Sequence, residues 1–127
     1  MKKYLTSFAL IAAVLLIPSL VLGHHGQASY ELGKTVTVKG TVTDFHFVNP
    51  HCIVEMDVKD DKGQIQKWQG ELTSPNHLVR AGWTATSLKA GDQITMSGYP
   101  AKSGAYSMWI SKILLEDGSE LKLGAGN

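Results

Sequence analysis

Five histidines and one cysteine are the residues of this chain best suited to bind or exchange something, and four of the histidines fall at two points. His24 and His25 stand together. His46 and His51 flank Phe47-Val48-Asn49-Pro50, where one apolar segment ends at a proline and the next begins, with Cys52 immediately after. If the chain is processed after Gly23, the new α-amine of His24 and its ring Nδ1 can chelate one ion, and His25, His46 or His51 can complete a nitrogen-rich set. Such sets suit copper(II) above other first-row divalent ions. Three histidines and a water would also satisfy zinc, a weaker fit. Processing one residue earlier would create Gly-His-His, with His25 third. The ordinary alternative is a solvated histidine pair, a His46 packed between Phe45 and Phe47, and a His51 that hydrogen-bonds its own corner.

A second chemistry is binding without metal. Asn49, Pro50 and His51 form the corner, Glu71 is the one strand acid beside a plausible cleft, and Trp68, Trp83, Trp109 and Tyr106 could stack on a sugar or a peptide. No nucleophile elbow, His-Glu-x-x-His or recognisable carboxylate pair is present. No catalytic residue is therefore assigned, and a non-catalytic binding module of unassigned ligand is the leading reading. Copper(II) binding is the alternative.

Lys2 and Lys3 followed by the apolar run Leu5 to Ile17, a break at Pro18-Ser19 and the small residue Gly23 have the order of a signal peptide over residues 1–23. A retained anchor is the competing reading, since the run from Tyr4 to Gly23 is about long enough to span a bilayer. Processing predicts a periplasmic or secreted protein with no stable membrane span. Two of the 12 basic residues lie in this leader and none of the 11 acidic ones does, so the rest is close to neutral. That is no nucleic-acid surface. A small molecule, a metal or an envelope protein is the expected partner. One cysteine cannot staple the domain, and Cys52 shares a strand face with Val54, Met56 and Val58, which makes a small buried hydrophobe the better reading of it.

The elements that must position these groups follow from alternation. Residues 24–33 are an extended lead-in with Tyr30 and Leu32 as candidate anchors, residues 34–124 a single barrel domain, and residues 125–127 a tail. The first strand runs from Lys34 with Val36, Val38 and Val42 on one face, Gly40 at its bend, and a parity change past Asp44 that calls for a bulge. Cys52 to Val58, Gln64 to Leu72, Ile94 to Pro100 and Tyr106 to Glu116 alternate as further strands, with a short last one at Glu120 to Leu123. Ser74 as N-cap, Pro75 and Gly82 bracket one short helix over Ser74 to Ala81. This order predicts an all-β fold with one short helix, a small five- to six-stranded OB-like barrel, against an immunoglobulin-like sandwich as rival. Its expected core is Val36, Val38, Val54, Met56, Trp68, Leu72, Ile94, Met96 and Ile110. The Asn49 amide is expected to hold the backbone of the corner.

His24-His25 after a leader, Val38-x-Gly40-x-Val42, Asn49-Pro50-His51, Trp68, Leu78 with Gly82-Trp83, Ser87-Leu88-Lys89-x-Gly91-Asp92 and Gly98-x-Pro100 together resemble a family of small exported bacterial proteins of unknown function. The resemblance spans nearly all of the chain beyond the leader. It implies export and one domain, and supplies no catalytic residue.

Overall fold

Strand β1 (Val36–His46) serves two neighbours in succession. From Val36 to Thr41 it pairs antiparallel with β4 (Gln93–Pro100), and from Thr41 to His46 antiparallel with β2 (Ile53–Lys59). The exchange of partners falls at Gly40-Thr41, where the expected bend lies. The expected bulge is there too: the register slips between Val42 and Asp44, so Thr43 is the extra residue and the inward apolar position passes from Val42 to Phe45. The computed structural model describes residues 26–125 and 127.

β2 continues into β3 (Ile65–Glu71) through a turn in which the Asp60 carboxylate accepts from the backbone N–H groups of Lys62 and Gln64, both at 2.9 Å. β4 pairs antiparallel with β5 (Ser107–Leu115), and β6 (Glu120–Leu121) hangs on β5. Closure comes from a parallel pairing of Gln69, Gly70 and Glu71 with Ser107, Met108 and Trp109. Five strands thus form a closed barrel and a sixth lies outside it. The rival sandwich has no such closure.

Helix α1 (Pro75–Arg80) joins β3 to β4. Pro75 begins it, as expected, because a first-turn residue has no use for its N–H. Ser74 occupies the N-cap without a side-chain cap bond; its carbonyl instead accepts from the N–H groups of His77 and Leu78. Leu78 is fully buried, and Trp83, just past the helix, is buried with its indole N–H donating to the Lys122 carbonyl at 2.7 Å. Phe45 packs on the Trp83 ring at 5.7 Å. Helix and indole together close the core beside the corner.

Val54, Met56, Leu72, Ile94, Met96 and Ile110 are buried as expected, with Cys52 among them. Each such side chain stabilises the fold by about 1.5–3 kcal/mol through apolar burial, the main resource of a domain with a lone thiol. Val36, Val38 and Trp68 are corrections: they are partly buried and lie at the margin of the core. Val36 and Val38 precede the point where β2 joins β1, so only β4 flanks them, and the Trp68 ring leans outward onto Tyr106.

Candidate functional site

The loop after β1 carries Asn49, Pro50 and His51, with a cis peptide between the first two. It is held by extension of the β2–β3 ladder: the Cys52 N–H donates to the Thr73 carbonyl at 3.1 Å and the Leu72 N–H to the Cys52 carbonyl at 2.8 Å. The Asn49 amide, expected to do this, is exposed and makes no side-chain hydrogen bond among the described residues. His51 projects from the anchored loop to the end of β3. There its Nδ1 meets Glu71 Oε1, while Glu71 Oε2 accepts from the Tyr30 hydroxyl. Alternation along β3 would leave Glu71 a strand-surface charge facing solvent. Instead both of its oxygens are engaged and its side chain, like that of His51, is only 22% exposed.

Tyr30 reaches this carboxylate because the lead-in is strapped to the barrel. A 3-10 turn at Gly26–Ser29 precedes a bridge of Tyr30 to Ala101. The Glu31 N–H donates to the Pro100 carbonyl at 2.9 Å, the Lys102 N–H to the Ser29 carbonyl at 3.0 Å, and Lys102 Nζ to the Ala28 carbonyl at 2.7 Å. Of the two expected anchors, Tyr30 is buried and Leu32 is exposed. The Tyr30 phenol is pushed up to about 12, chiefly by burial and next by its hydrogen bond to Glu71, against an opposing hydrogen bond from Ser107. Beneath the strap lies Trp109. It alternates with the core residues Met108 and Ile110 and so faces outward, yet it is 4% exposed, with the Tyr30 ring at 6.1 Å and the His51 ring edge-on at 5.3 Å. Its indole N–H has no hydrogen-bond partner among the described residues.

The expected site residues thus divide. Asn49, Pro50, His51 and Glu71 line one cavity of about 460 Å³, together with Gly26, Ser29, Val48 and Ile53. Trp68 and Tyr106 meet at a ring separation of 5.6 Å and line another of about 660 Å³, with Thr43, Glu55, Lys67, Gln69 and Ser107. The four-aromatic platform does not form: Trp83 is in the core and Trp109 lies under Tyr30. A lone aromatic in the aperiodic lead-in is the one sequence signal for the strap, and nothing in the sequence ties it to Glu71.

The metal-ligand candidates are dispersed as well. His46 Nε2 lies 3.2 Å from Glu55 Oε1 and 3.5 Å from Asp44 Oδ2, His51 engages Glu71, and His77 Nδ1 lies 3.0 Å from the Thr73 hydroxyl. His24 and His25 lie outside the described residues. Among the described residues no group of three or more histidine, cysteine or acidic side chains is arranged to hold a metal ion, so the copper and zinc expectations find no preformed site there. The Cys52 thiol is fully buried, and that burial pushes its pKa up. Among the described residues no helix is long and apolar enough to cross a membrane.

The chain belongs to a family described as "Family of unknown function (DUF6152)", whose model matches residues 13–108. No curated protein matches the sequence significantly. Solved structures similar to it include the crystal structure of TiaS in complex with a tRNA and ATP, at 19% identity and a TM-score of 0.49 over 73% of this chain and 20% of that one. The ZRD-deleted mutant of TiaS in complex with agmatine is similar at 17% identity and a TM-score of 0.49, over 76% of this chain and 24% of that one. The chain therefore spans a quarter or less of either protein.

Proposed function

We propose that this chain is an exported, non-catalytic binding module that takes a neutral, hydroxyl-bearing ring ligand of the saccharide class against Trp68 and Tyr106. The observation that carries the reading is the ring pair itself: the two side chains meet at 5.6 Å, tilted by 38°, and Tyr106 is 51% exposed on the wall of the larger cavity. Sugar rings present apolar C–H faces to aromatic rings and hydroxyls to polar neighbours, and Thr43, Gln69 and Ser107 offer both donors and acceptors on the same wall. The one cation of this wall, Lys67, is already paired with Asp57 at 2.6 Å, and Glu55 adds an acidic group, which suits a neutral ligand better than a polyphosphate. Barrels of this type take ligands across their second and third strands. Export rests on the leader-like order of residues 1–23.

Fluorescence tests it, because Trp83 and Trp109 are 3% and 4% exposed and Trp68 is the accessible indole. Chito-oligosaccharides titrated into the protein should protect its emission from acrylamide, and Trp68→Ala should abolish the effect. Protection absent with every saccharide, or retained in Trp68→Ala, removes the reading. Cell fractionation with the mass of the processed chain tests export.

One observation favours copper(II) as a second reading: Gly26, the residue after His25, lies on the wall of the cavity that holds His51. Calorimetric titration with copper(II) would compare the processed protein, a form with an added Met-Gly terminus, and His51→Ala. Loss of affinity in both altered forms supports a composite site. Equal affinity in all three makes it a nonspecific tail.

A further inference from the structure

We infer that Tyr30 is a positioning residue that couples the two cavities, so that the state of the Asn49-Pro50-His51 corner sets the placement of the loop bearing Tyr106. That this alters ligand affinity rests on the binding reading above; the coupling itself does not.

Tyr30 touches both sides. Its hydroxyl donates to Glu71, which lines the smaller cavity with His51, and its backbone bridges to Ala101, whose N–H donates to the carbonyl of Ser107, the residue that follows Tyr106 and lines the larger cavity. A carboxylate offers only lone pairs, so the Tyr30 O–H donates to one Glu71 oxygen and the His51 Nδ1–H to the other. Two donors thus meet on one carboxylate, and moving one disturbs the other.

The loop is built to respond. Residues 101–106 are held by the Ala101 N–H on the Ser107 carbonyl, the Gly104 N–H on the Ala101 carbonyl, the Ser107 N–H on the Ala105 carbonyl, the Ala105 N–H on the Ser103 hydroxyl and the Gln69 N–H on the Tyr106 carbonyl. Two further bonds join Lys102 to Ser29 and Ala28 of the strap. A shift of the strap at Tyr30 therefore moves the loop at Ala101 and Lys102, and through Ala101 at Ser107. Trp109 makes the arrangement releasable. Its buried N–H finds no acceptor among the described residues between the Tyr30 and His51 rings, a cost that the clasped state carries and that a rearranged corner can relieve.

Hydrogen exchange followed by mass spectrometry tests the coupling without a ligand. Tyr30→Phe keeps the ring on Trp109 and removes the hydroxyl; His51→Ala removes the other donor to Glu71. Each should speed exchange of the amides of residues 102–107 by about fivefold or more beyond any change in β1 and β2, whose amides follow only the loss of global stability, a local opening added to the global one. The double variant should equal Tyr30→Phe alone, and His51→Gln, whose amide can still donate to Glu71, should restore the wild-type rate. Coupling is overturned if His51→Ala leaves the loop at the wild-type rate, or if the two effects multiply in the double variant. Chitotriose affinity should fall in step with loop opening. A wild-type protein that does not bind chitotriose sinks the saccharide reading alone, and the exchange rates still decide the coupling.

Discussion

Gly40 and Asp57 approach so closely that a Cβ on residue 40 would lie 2.2 Å from the Asp57 carbonyl oxygen and 2.8 Å from the end of the Met56 side chain. The first obstacle is backbone and cannot rotate away. Gly40→Ala must therefore push β1 from β2 at the point where β1 changes partners, and overpacking of this kind costs about 1–3 kcal/mol. For a domain of this size the thermal midpoint should fall by on the order of 10 °C. Gly33→Ala is the control, since nothing lies within 4 Å of an added Cβ there and its midpoint should be unchanged.

That bend is legible in the sequence because a glycine inside a run of alternating valines and threonines has few other uses. The parity change from Val42 to Phe45 is legible for a similar reason, and the bulge at Thr43 answers to it. The site is less so. Alternation places Trp109 and Glu71 on the outside of the barrel, and both are outside; what covers them is Tyr30, carried there by a bridge to Ala101 that no local pattern encodes. The same alternation puts Trp68 inside, with Gly70 and Leu72. It cannot show that the Trp68 ring leans out onto a Tyr106 supplied across a parallel seam.

Tyr30 should report its own burial on titration. Its folded pKa of about 12 lies above the ordinary 10.0, so folding favours the protonated phenol. The stability this contributes is whole below pH 10 and is lost as the pH rises from 10 towards 12. Ultraviolet absorbance of tyrosinate should show a late-titrating group that is missing from Tyr30→Phe. Melts should show the wild-type advantage over that variant shrinking across the same interval. A variant that keeps the late group would assign it elsewhere.

Cys52 should behave as a core residue and not as a redox or metal ligand. Its side chain is fully buried and burial holds the thiol protonated, and the thiolate is the reactive form. Labelling by an aromatic disulfide reagent should therefore be negligible in the folded protein and should rise with denaturant along the unfolding curve. Fast labelling without denaturant would contradict the buried placement.

His51 and Asn49 sit two residues apart on one loop and should differ in what they do for the fold. His51 is tied to Glu71, and the loop is carried by Cys52 and Leu72 on the β2–β3 ladder, while the exposed Asn49 side chain holds nothing among the described residues. His51→Ala leaves one oxygen of a largely covered carboxylate without its partner, a loss of about 1–3 kcal/mol. Asn49→Ala should stay within about 0.5 kcal/mol of wild type, as exposed substitutions do. Urea unfolding of the two variants measures both. A cost above about 1 kcal/mol for Asn49→Ala would return the side chain to the turn-holding role that its place before proline suggests. A neutral result leaves Asn49 as a residue whose place on the wall of the smaller cavity, beside His51 and Glu71, is its one evident use, so that any change in ligand or copper(II) affinity in Asn49→Ala reflects that wall directly.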